Sequence, residues 1–231
     1  MDPLREPWKD PNSAIVIDPY EESIIDWAAL ATDRRVAAII HRGTHGAKLD
    51  SEYISRRAKV KAAGYLWGSY HLAMPGDPVH QADFYLEQCR PANDEVMALD
   101  IESLEPTTNI DLAGAEKFMA RVLEKTGRCP MVYGNHTVIR DISAQRDKSS
   151  IFGRAPLWYA RFRSSIADDF PSRLWERYTL WQFSSEINCS KTAPQKCPYR
   201  VAGTDTDIDV NVYPGTVEAL RQNWPFRAGA A

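Results

Sequence analysis

Two acidic residues, Asp100 and Glu102, stand at the end of a short apolar run that begins at Val96. Such a run is typical of a buried strand, and side chains two residues apart on a strand project to the same side. Two carboxyls held that close are expected to titrate as a coupled pair in which one pKa is raised. A carboxylic acid with a raised pKa can donate a proton near neutral pH, as glycoside hydrolysis and other general acid–base reactions require. The alternative is that both acids mark a strand that runs out into solvent.

Polar residues take the same place, at or just past the end of a strand, in several other apolar runs. We predict strands over residues 14–18, 36–41, 65–71, 96–102, 129–133, 156–160, 178–183 and 207–212. The polar residues at their C-terminal ends are Asp18, His41, His71, Tyr133 and Gln182, and Asp209 lies within the last strand or near its end. Polar groups that converge from several strands favour a functional site over a solvated strand exit.

The connections between the strands change along the chain. Helical patterns follow each of the first five strands, whereas the connections among the last three are irregular. This order predicts an α/β fold with a mostly parallel sheet, closed into a modified TIM-like barrel, (β/α)5(β)3. We expect a single catalytic barrel domain over residues 14–224, an N-terminal extension over 1–13 and a flexible tail over 225–231. In such barrels the active site lies at the C-terminal ends of the strands.

Composition and charge argue against several classes of protein. The 231 residues carry a formal net charge of -3, so the chain lacks the basic footprint of a protein that binds nucleic acid. No apolar run is long enough to insert across a bilayer, and the polar N-terminus lacks the apolar core of a secretory signal. The four cysteines lack zinc-site spacing, so we expect no metal and no cofactor. Cys189 and Cys197 flank a short loop and are candidates for a disulfide in an oxidising compartment.

A series of short motifs, in order from about residue 15 to residue 215, resembles the family 25 glycoside hydrolases, the Chalaropsis-type lysozymes or N-acetylmuramidases. Ala98-Leu99-Asp100-Ile101-Glu102 is similar to that family's A-L-D-x-E motif. The other similar motifs are Ile17-Asp18, Ile25-Asp26-Trp27, Asp50-x-x-Tyr53, Arg56-Arg57-Ala58, Ala62-Ala63-Gly64, Gly68-x-Tyr70-His71, Leu157-Trp158-x-Ala160, Leu180-Trp181-Gln182-Phe183-Ser184 and Asp209-Val210-Asn211-Val212-Tyr213-x-Gly215. The chain departs from the family where Pro19-Tyr20 follow Asp18, and the segment 188–206 matches none of its motifs.

The resemblance implies an enzyme that cleaves the β-1,4 bond between N-acetylmuramic acid and N-acetylglucosamine in peptidoglycan. Carried over by position, Glu102 would be the general acid that protonates the leaving oxygen and then activates water. Asp100 or Asp209 would stabilise the oxazolinium that forms, with retention, when the substrate's acetamido oxygen attacks the anomeric carbon. Asp18 would complete the acidic floor beside Asp209. A direct nucleophilic role for one aspartate stays open as the competing mechanism.

Aromatic residues are numerous, and the seven Trp and ten Tyr suit stacking on sugar rings as well as core packing. We expect substrate contacts from residues near the strand ends, namely Tyr70, His71, Tyr133, Trp158, Trp181, Gln182 and Arg42. Plain core packing is the alternative for Trp158 and Trp181, and a structural hydrogen bond is the alternative for His71. Arg42 is expected to meet a lactyl or peptide carboxylate of the substrate.

Two other functions stay open on the sequence. One is a non-catalytic module of the same fold that binds peptidoglycan or another glycan, although such a binder has no need of Glu102. The other is a hydrolase of another N-acetylated glycan such as chitin, although the chitinase-type D-x-x-D-x-D-x-E run is absent. We expect a monomer, made in the cytoplasm without a visible signal, that acts on bacterial peptidoglycan in the periplasm or outside the cell. A phage endolysin, a delivered toxin with an immunity protein and an exported housekeeping hydrolase all fit the sequence.

Overall fold

The centre of the molecule, in a computed structural model that describes residues 2–226, is a closed barrel of eight strands. These strands are β1 (Ala14–Ile17), β2 (Val36–His45), β4 (Leu66–Leu72), β5 (Val96–Ile101), β6 (Met131–Asn135), β7 (Leu157–Ala160), β8 (Leu180–Ser184) and β9 (Val210–Tyr213). A two-residue strand, β3 (Lys48–Leu49), forms a short hairpin with the end of β2. β6 begins later than predicted, because Pro130 has no N–H to donate to the sheet.

Seven barrel strands run parallel, in the order β1, β2, β4, β5, β6, β7 and β8. β9 runs antiparallel between β8 and β1 and closes the barrel. The helices are α1 (Trp27–Leu30), α2 (Tyr53–Ala62), α3 (Pro78–Cys89), α4 (Leu112–Thr126), α5 (His136–Gln145), α6 (Ile151–Arg154) and α7 (Val217–Asn223). One of the first five helices follows each of the first five parallel strands. The predicted modified TIM-like barrel, (β/α)5(β)3, is therefore confirmed.

The alternation of side chains along each strand creates two apolar layers. Along β5, Val96 and Ala98 belong to a small cluster that fills the inside of the barrel. The residues between and after them, Met97 and Leu99, belong to the larger cluster that packs against the surrounding helices. By the same alternation Asp100 faces the inside, at the end of the strand.

The two ends of the barrel differ. At the N-terminal ends of the parallel strands, α7 and the residues after it close the barrel, and Trp224 and Phe226 are buried there. Phe226 stacks on Tyr213 with ring centroids 6.0 Å apart, so the packed chain extends two residues past the predicted domain boundary. The rest of the predicted tail, residues 227–231, lies outside the described residues. The opposite end of the barrel, where the C-terminal ends of the strands meet, is open.

The segment predicted as an N-terminal extension packs along the outside of the barrel from Pro3 onward, and the Pro3 carbonyl accepts a hydrogen bond from the Tyr178 hydroxyl. Arg5 forms an isolated antiparallel bridge with Ser165, and the Trp8 ring stacks on Phe183 with centroids 4.2 Å apart. Arg35 donates hydrogen bonds to the carbonyl oxygens of Trp8 and of residue 13. These residues therefore add to the outer core beside β8. Within residues 2–226 no helix is both long and apolar enough to cross a membrane.

Candidate active site

Four carboxyl groups meet at the open end of the barrel. Asp18 directly follows β1, Asp100 lies in β5 and Glu102 comes just after it. Asp209 directly precedes β9, and because β9 runs antiparallel, its start lies at the same end of the barrel as the C-terminal ends of its neighbours. The four acids line a cavity of about 240 Å³, which we call the central cavity.

Asp18 is held by hydrogen bonds on both carboxyl oxygens. It is buried, its Oδ2 accepts from Gln182 Nε2 at 2.8 Å, and its Oδ1 accepts from Asn211 Nδ2. Burial, followed by the nearby charge of Asp209, raises the pKa of Asp18, and the two amide donors act in the opposite direction. Asp18 is therefore a fixed carboxyl group whose two oxygens both act as acceptors.

Asp100 is as buried as Asp18 but lacks such donors. Its Oδ1 is shielded from solvent and accepts no hydrogen bond from any of residues 2–226. Burial, then the charges of Glu102 and Asp209, raise its pKa well above the usual range. Burial also raises the pKa of Asp209, and Glu186 and Glu102 add to that effect. The cavity therefore favours the retention of protons by some of its acids.

Glu102 stands at the rim, where its side chain is more exposed than those of the other three acids. It lines the central cavity and also a larger cavity of about 750 Å³ beside it. Partial burial, followed by the charge of Glu186, raises the pKa of Glu102. A carboxylic acid that keeps its proton and opens onto a cleft has the properties required of a general acid.

Three aromatic side chains predicted to contact substrate line the central cavity, namely Tyr70, Tyr133 and Trp158. The Trp158 ring packs edge-on against Tyr133, with centroids 4.9 Å apart, and against Tyr70 at 6.1 Å. The Tyr133 hydroxyl donates to Gln182 Oε1 at 2.7 Å, so Gln182 joins the site through Asp18. The structure thus brings these four predicted residues together.

Arg42 also lines the central cavity, but carboxylates outside the four acids already hold its guanidinium. Its Nε donates to Asp50 Oδ2 at 3.1 Å and its Nη2 donates to Glu21 Oε1 at 3.0 Å. The same guanidinium lies over the Tyr20 ring, 4.8 Å from its centroid. Arg42 is thus held in a fixed position, and its charge lowers the pKa of Asp100 against the larger effect of burial.

His71 lies outside the barrel wall, between β4 and the helices. It is fully buried, with Nδ1 at 2.7 Å from Thr44 Oγ1 and Nε2 at 3.1 Å from Gln81 Oε1. Its neighbour Tyr70 faces the inside of the barrel, and consecutive residues on a strand point to opposite faces. We therefore leave His71 out of the proposed site. Its contacts are those of the alternative, a histidine held by structural hydrogen bonds.

Trp181 faces away from the cavity for the same reason, since its neighbour Gln182 faces the inside. It is fully buried, its indole donates to the Arg161 carbonyl at 2.7 Å, and Trp8 packs against it. The alternative of core packing describes Trp181, so it too is left out of the proposed site.

The central cavity is the middle of a longer cleft across the open end of the barrel. The 750 Å³ cavity shares Glu102 with it, and a third cavity of about 290 Å³ shares Asp18 and Asp209. Glu186 was not among the predicted site residues, and it lines both the 290 Å³ cavity and the central cavity. It comes two residues after β8, so the rule that identified Glu102 could also have found it. In the sequence, Asn211 stands out only as part of a motif, because an amide within an apolar run does not indicate which group it will bond.

The loop that follows Glu186 contains a disulfide between Cys189 and Cys197, as their spacing suggested. Lys191, within this loop, lies 3.3 Å from Asp207 at the edge of the cleft. Across residues 2–226, no group of three or more His, Cys, Asp or Glu side chains could hold a metal ion.

Comparisons with known proteins agree with the barrel fold. Residues 17–192 match the family model described as Glycosyl hydrolases family 25. The chain is 25% identical over 205 residues to the uncharacterized protein YegX of Escherichia coli strain K12. The aligned residues cover 85% of this chain and 68% of YegX. Among solved structures, a muramidase from Acremonium alcalophilum is similar at a TM-score of 0.70 and 21% identity, over 90% of this chain and 97% of that one. A bacterial lysozyme from Streptomyces coelicolor is similar at a TM-score of 0.70 and 20% identity, over 92% and 97% respectively.

Proposed function

Because this chain belongs to glycosyl hydrolases family 25 and is therefore a glycoside hydrolase, we propose that it cleaves bacterial peptidoglycan. The bond we assign is the β-1,4 bond between N-acetylmuramic acid and N-acetylglucosamine. Similar structures described as a muramidase and a lysozyme support this choice of substrate. The observation that carries the proposal is the placement of Glu102 at the rim of a cavity whose floor holds three further carboxyl groups.

Glu102 is the residue we assign as general acid. A sugar alkoxide leaves poorly at neutral pH, so the oxygen of the scissile bond must receive a proton as that bond breaks. The raised pKa of Glu102 keeps this proton available, and the rim position allows contact with the leaving sugar. The carboxylate that remains can then take a proton from the water that completes the hydrolysis.

Asp100 and Asp209 are the candidates for stabilising the positive charge that develops on the sugar. In the substrate-assisted route, the acetamido oxygen attacks the anomeric carbon and the acetamido N–H needs an acceptor. Asp100 Oδ1 is an acceptor with no partner of its own, which supports Asp100 for this role. Asp209 lines the same cavity and is the alternative. Direct attack by an aspartate remains the competing mechanism.

The length of the cleft favours a long glycan over a short sugar as the substrate. The three adjoining cavities cross the open end of the barrel, and Tyr133, Tyr70 and the edge of the largely buried Trp158 line their centre. We infer that the protein acts as a monomer at the cell wall, after release or delivery to it. If it is delivered as a toxin, a partner immunity protein would have to cover this cleft to protect the producing cell.

The test is digestion of purified peptidoglycan by the wild type, by Glu102→Gln and by Glu218→Gln. Glu218 lies in the first turn of α7, at the closed end of the barrel, so it undergoes the same chemical change away from the cleft. We expect the wild type and Glu218→Gln to release fragments with a reducing N-acetylmuramic acid end, identified by mass spectrometry. Glu102→Gln should be slower by roughly 10²- to 10⁴-fold, the usual contribution of a general acid.

Two results would contradict the proposal. If all three proteins sediment with the wall and none cuts it, the chain is a binding module. If the wild type cleaves chitin oligomers and leaves peptidoglycan intact, the substrate is another N-acetylated glycan.

A further inference from the structure

Five neighbouring strands each contribute one side chain to a continuous set of hydrogen bonds that ends on Asp18. The contributing residues are Tyr133 on β6, Trp158 on β7, Gln182 on β8 and Asn211 on β9, and Asp18 follows β1. We call these five residues the Asp18 network. All but Tyr133 are at least nine-tenths buried, so the bonds are formed away from bulk solvent.

The direction of each bond on the Asn211 side follows from the chemistry of the groups. An indole N–H can only donate, so Trp158 Nε1 requires the oxygen of Asn211, which lies 2.5 Å away. The amide nitrogen of Asn211 must then face the other way. Its two hydrogens go to the Val16 carbonyl at 3.0 Å and to Asp18 Oδ1. Every hydrogen-bonding group of the Asn211 side chain is therefore occupied, and the amide can only donate to Asp18.

On the other side of the network, the amide of Gln182 also donates to Asp18. The Tyr133 hydroxyl donates to Gln182 Oε1, which leaves Nε2 to donate to Asp18 Oδ2 at 2.8 Å. Asp18 thus receives one amide N–H on each oxygen. Asp100, in the same cavity, has an oxygen with no such donor among the described residues. The two buried aspartates therefore differ in their hydrogen bonding: both oxygens of Asp18 accept from an amide, whereas Asp100 Oδ1 has no donor among the described residues.

We propose that Asn211 and Gln182 are positioning residues for the hydrolysis, which hold Asp18 in one orientation and favour its ionised form, and that Trp158 acts through Asn211. This inference rests on the proposed function, because it concerns the same cleft. Hydrogen bonds donated to a carboxylate stabilise the charged form relative to the acid. The two amide donors therefore oppose the effect of burial on Asp18, and no amide among the described residues does the same for Asp100 Oδ1.

The consequence is a defined effect on the pH profile. If the reaction needs ionised Asp18, activity is lost as the pH falls through the pKa of Asp18. Removing one amide donor raises that pKa, so the acid limb of the profile moves to higher pH, by about one unit for each donor lost. The charged and titratable groups that share a cavity with Asp18 are left unchanged. They are Tyr20, Arg42, Tyr70, Asp100, Glu102, Tyr133, Glu186 and Asp209 in the central cavity, and Glu22, Lys191, Asp205 and Asp207 in the 290 Å³ cavity.

Two matched pairs of variants test the proposal. Trp158→Phe removes the indole N–H that orients Asn211, whereas Trp181→Phe removes an equally buried indole whose N–H bonds a backbone carbonyl outside the barrel. Gln182→Met removes a donor to Asp18, whereas Gln81→Met removes a buried amide between β4 and α3. We would measure kcat and kcat/KM for peptidoglycan digestion across the pH range, together with the Tm of each protein.

Gln182→Met removes a donor to Asp18 and should move the acid limb to higher pH by about one unit. Trp158→Phe leaves the Asn211 amide in place but removes the bond that orients it, so the acid limb should move in the same direction by less. The two controls should lower Tm and leave the acid limb where it is. A lost stacking contact with the sugar would instead raise KM at every pH. The carboxyl resonance of Asp18 is followed in parallel by NMR in protein with isotope-labelled aspartate, assigned with Asp18→Asn. Its titration should shift upward in the same two variants, in the absence of any substrate.

The outcomes separate this inference from the proposed function. If the wild type leaves peptidoglycan intact, the proposed function fails, and the Asp18 titration still decides whether the network favours the ionised form. If the wild type is active but neither the acid limb nor the Asp18 titration moves in folded Trp158→Phe and Gln182→Met, the positioning role is overturned.

Discussion

Asp100→Asn is expected to stabilise the protein while it damages the site. The side chain is 6% exposed, and its Oδ1 accepts no hydrogen bond within the described part of the chain. Burial is the main reason that its pKa is raised, followed by the charges of Glu102 and Asp209. A buried polar group without a partner costs about 1–3 kcal/mol of folding free energy, and a charged group costs more. An amide of nearly the same shape carries no charge, so this cost falls.

The sign of the pH dependence follows from linkage. A carboxyl whose pKa is raised by folding binds protons more tightly in the folded state than in the unfolded state. Wild-type stability therefore falls as the pH rises from the unfolded pKa, about 3.9 for Asp, through the folded pKa. The variant has no such loss. Its advantage over the wild type should be close to zero at about pH 4 and should approach roughly 2 kcal/mol at about pH 8.

The assay is urea denaturation of both proteins at the two pH values, with thermal melts alongside. For a chain of this length, about 2 kcal/mol corresponds to a rise in Tm of roughly 4–8 °C. Asp83→Asn is the control with the opposite sign, because Asp83 pairs with Arg121 and its pKa is lowered. Its ion pair is partly exposed, so a small loss of stability at the higher pH is expected. If Asp100→Asn destabilises the protein equally at both pH values, Asp100 has stabilising partners and the reasoning is refuted.

Two further predictions concern the rim of the cleft and the outer core. Glu186→Gln removes a negative charge that raises the pKa of Glu102, so the alkaline limb of the activity profile should move to lower pH; a limb that stays in place would show that another group sets it. Trp8→Ala removes a buried ring that stacks on Phe183 and should lower the free energy of unfolding by about 3–5 kcal/mol in urea denaturation, whereas a change below about 1 kcal/mol would mean that the N-terminal segment packs independently of the barrel.

Strand alternation shows from the sequence alone that some of the predicted substrate contacts exclude one another. Tyr70 and His71 were both predicted to contact substrate, as were Trp181 and Gln182, yet consecutive residues on a strand cannot both face the inside of a barrel. Asp100 fixes which face is inside for β5. Extending that alternation to β4 and β8 needs the register between strands, which the sequence does not contain.

The direction of β9 is a second property that the sequence left open. An apolar run has the same appearance whichever way it runs in the sheet, and the structure inserts this one antiparallel between β8 and β1. Only for that reason does Asp209, at the start of its strand, join acids that stand at the ends of theirs. The same reversal places Asn211 opposite Val16 on one side and Gln182 on the other, where it can reach Asp18.

The sequence by itself determined the order of strands and helices, the position of the acids at strand ends and the family motifs, because these depend on local periodicity and on residue type. The tertiary structure decided which side chains share the cavity, which oxygen of Asp18 accepts from which amide, and which acids lie beyond the reach of a donor. Those properties depend on the closure and register of the barrel. They arise from contacts between residues as far apart as Asp18 and Asn211, and no local pattern records such contacts.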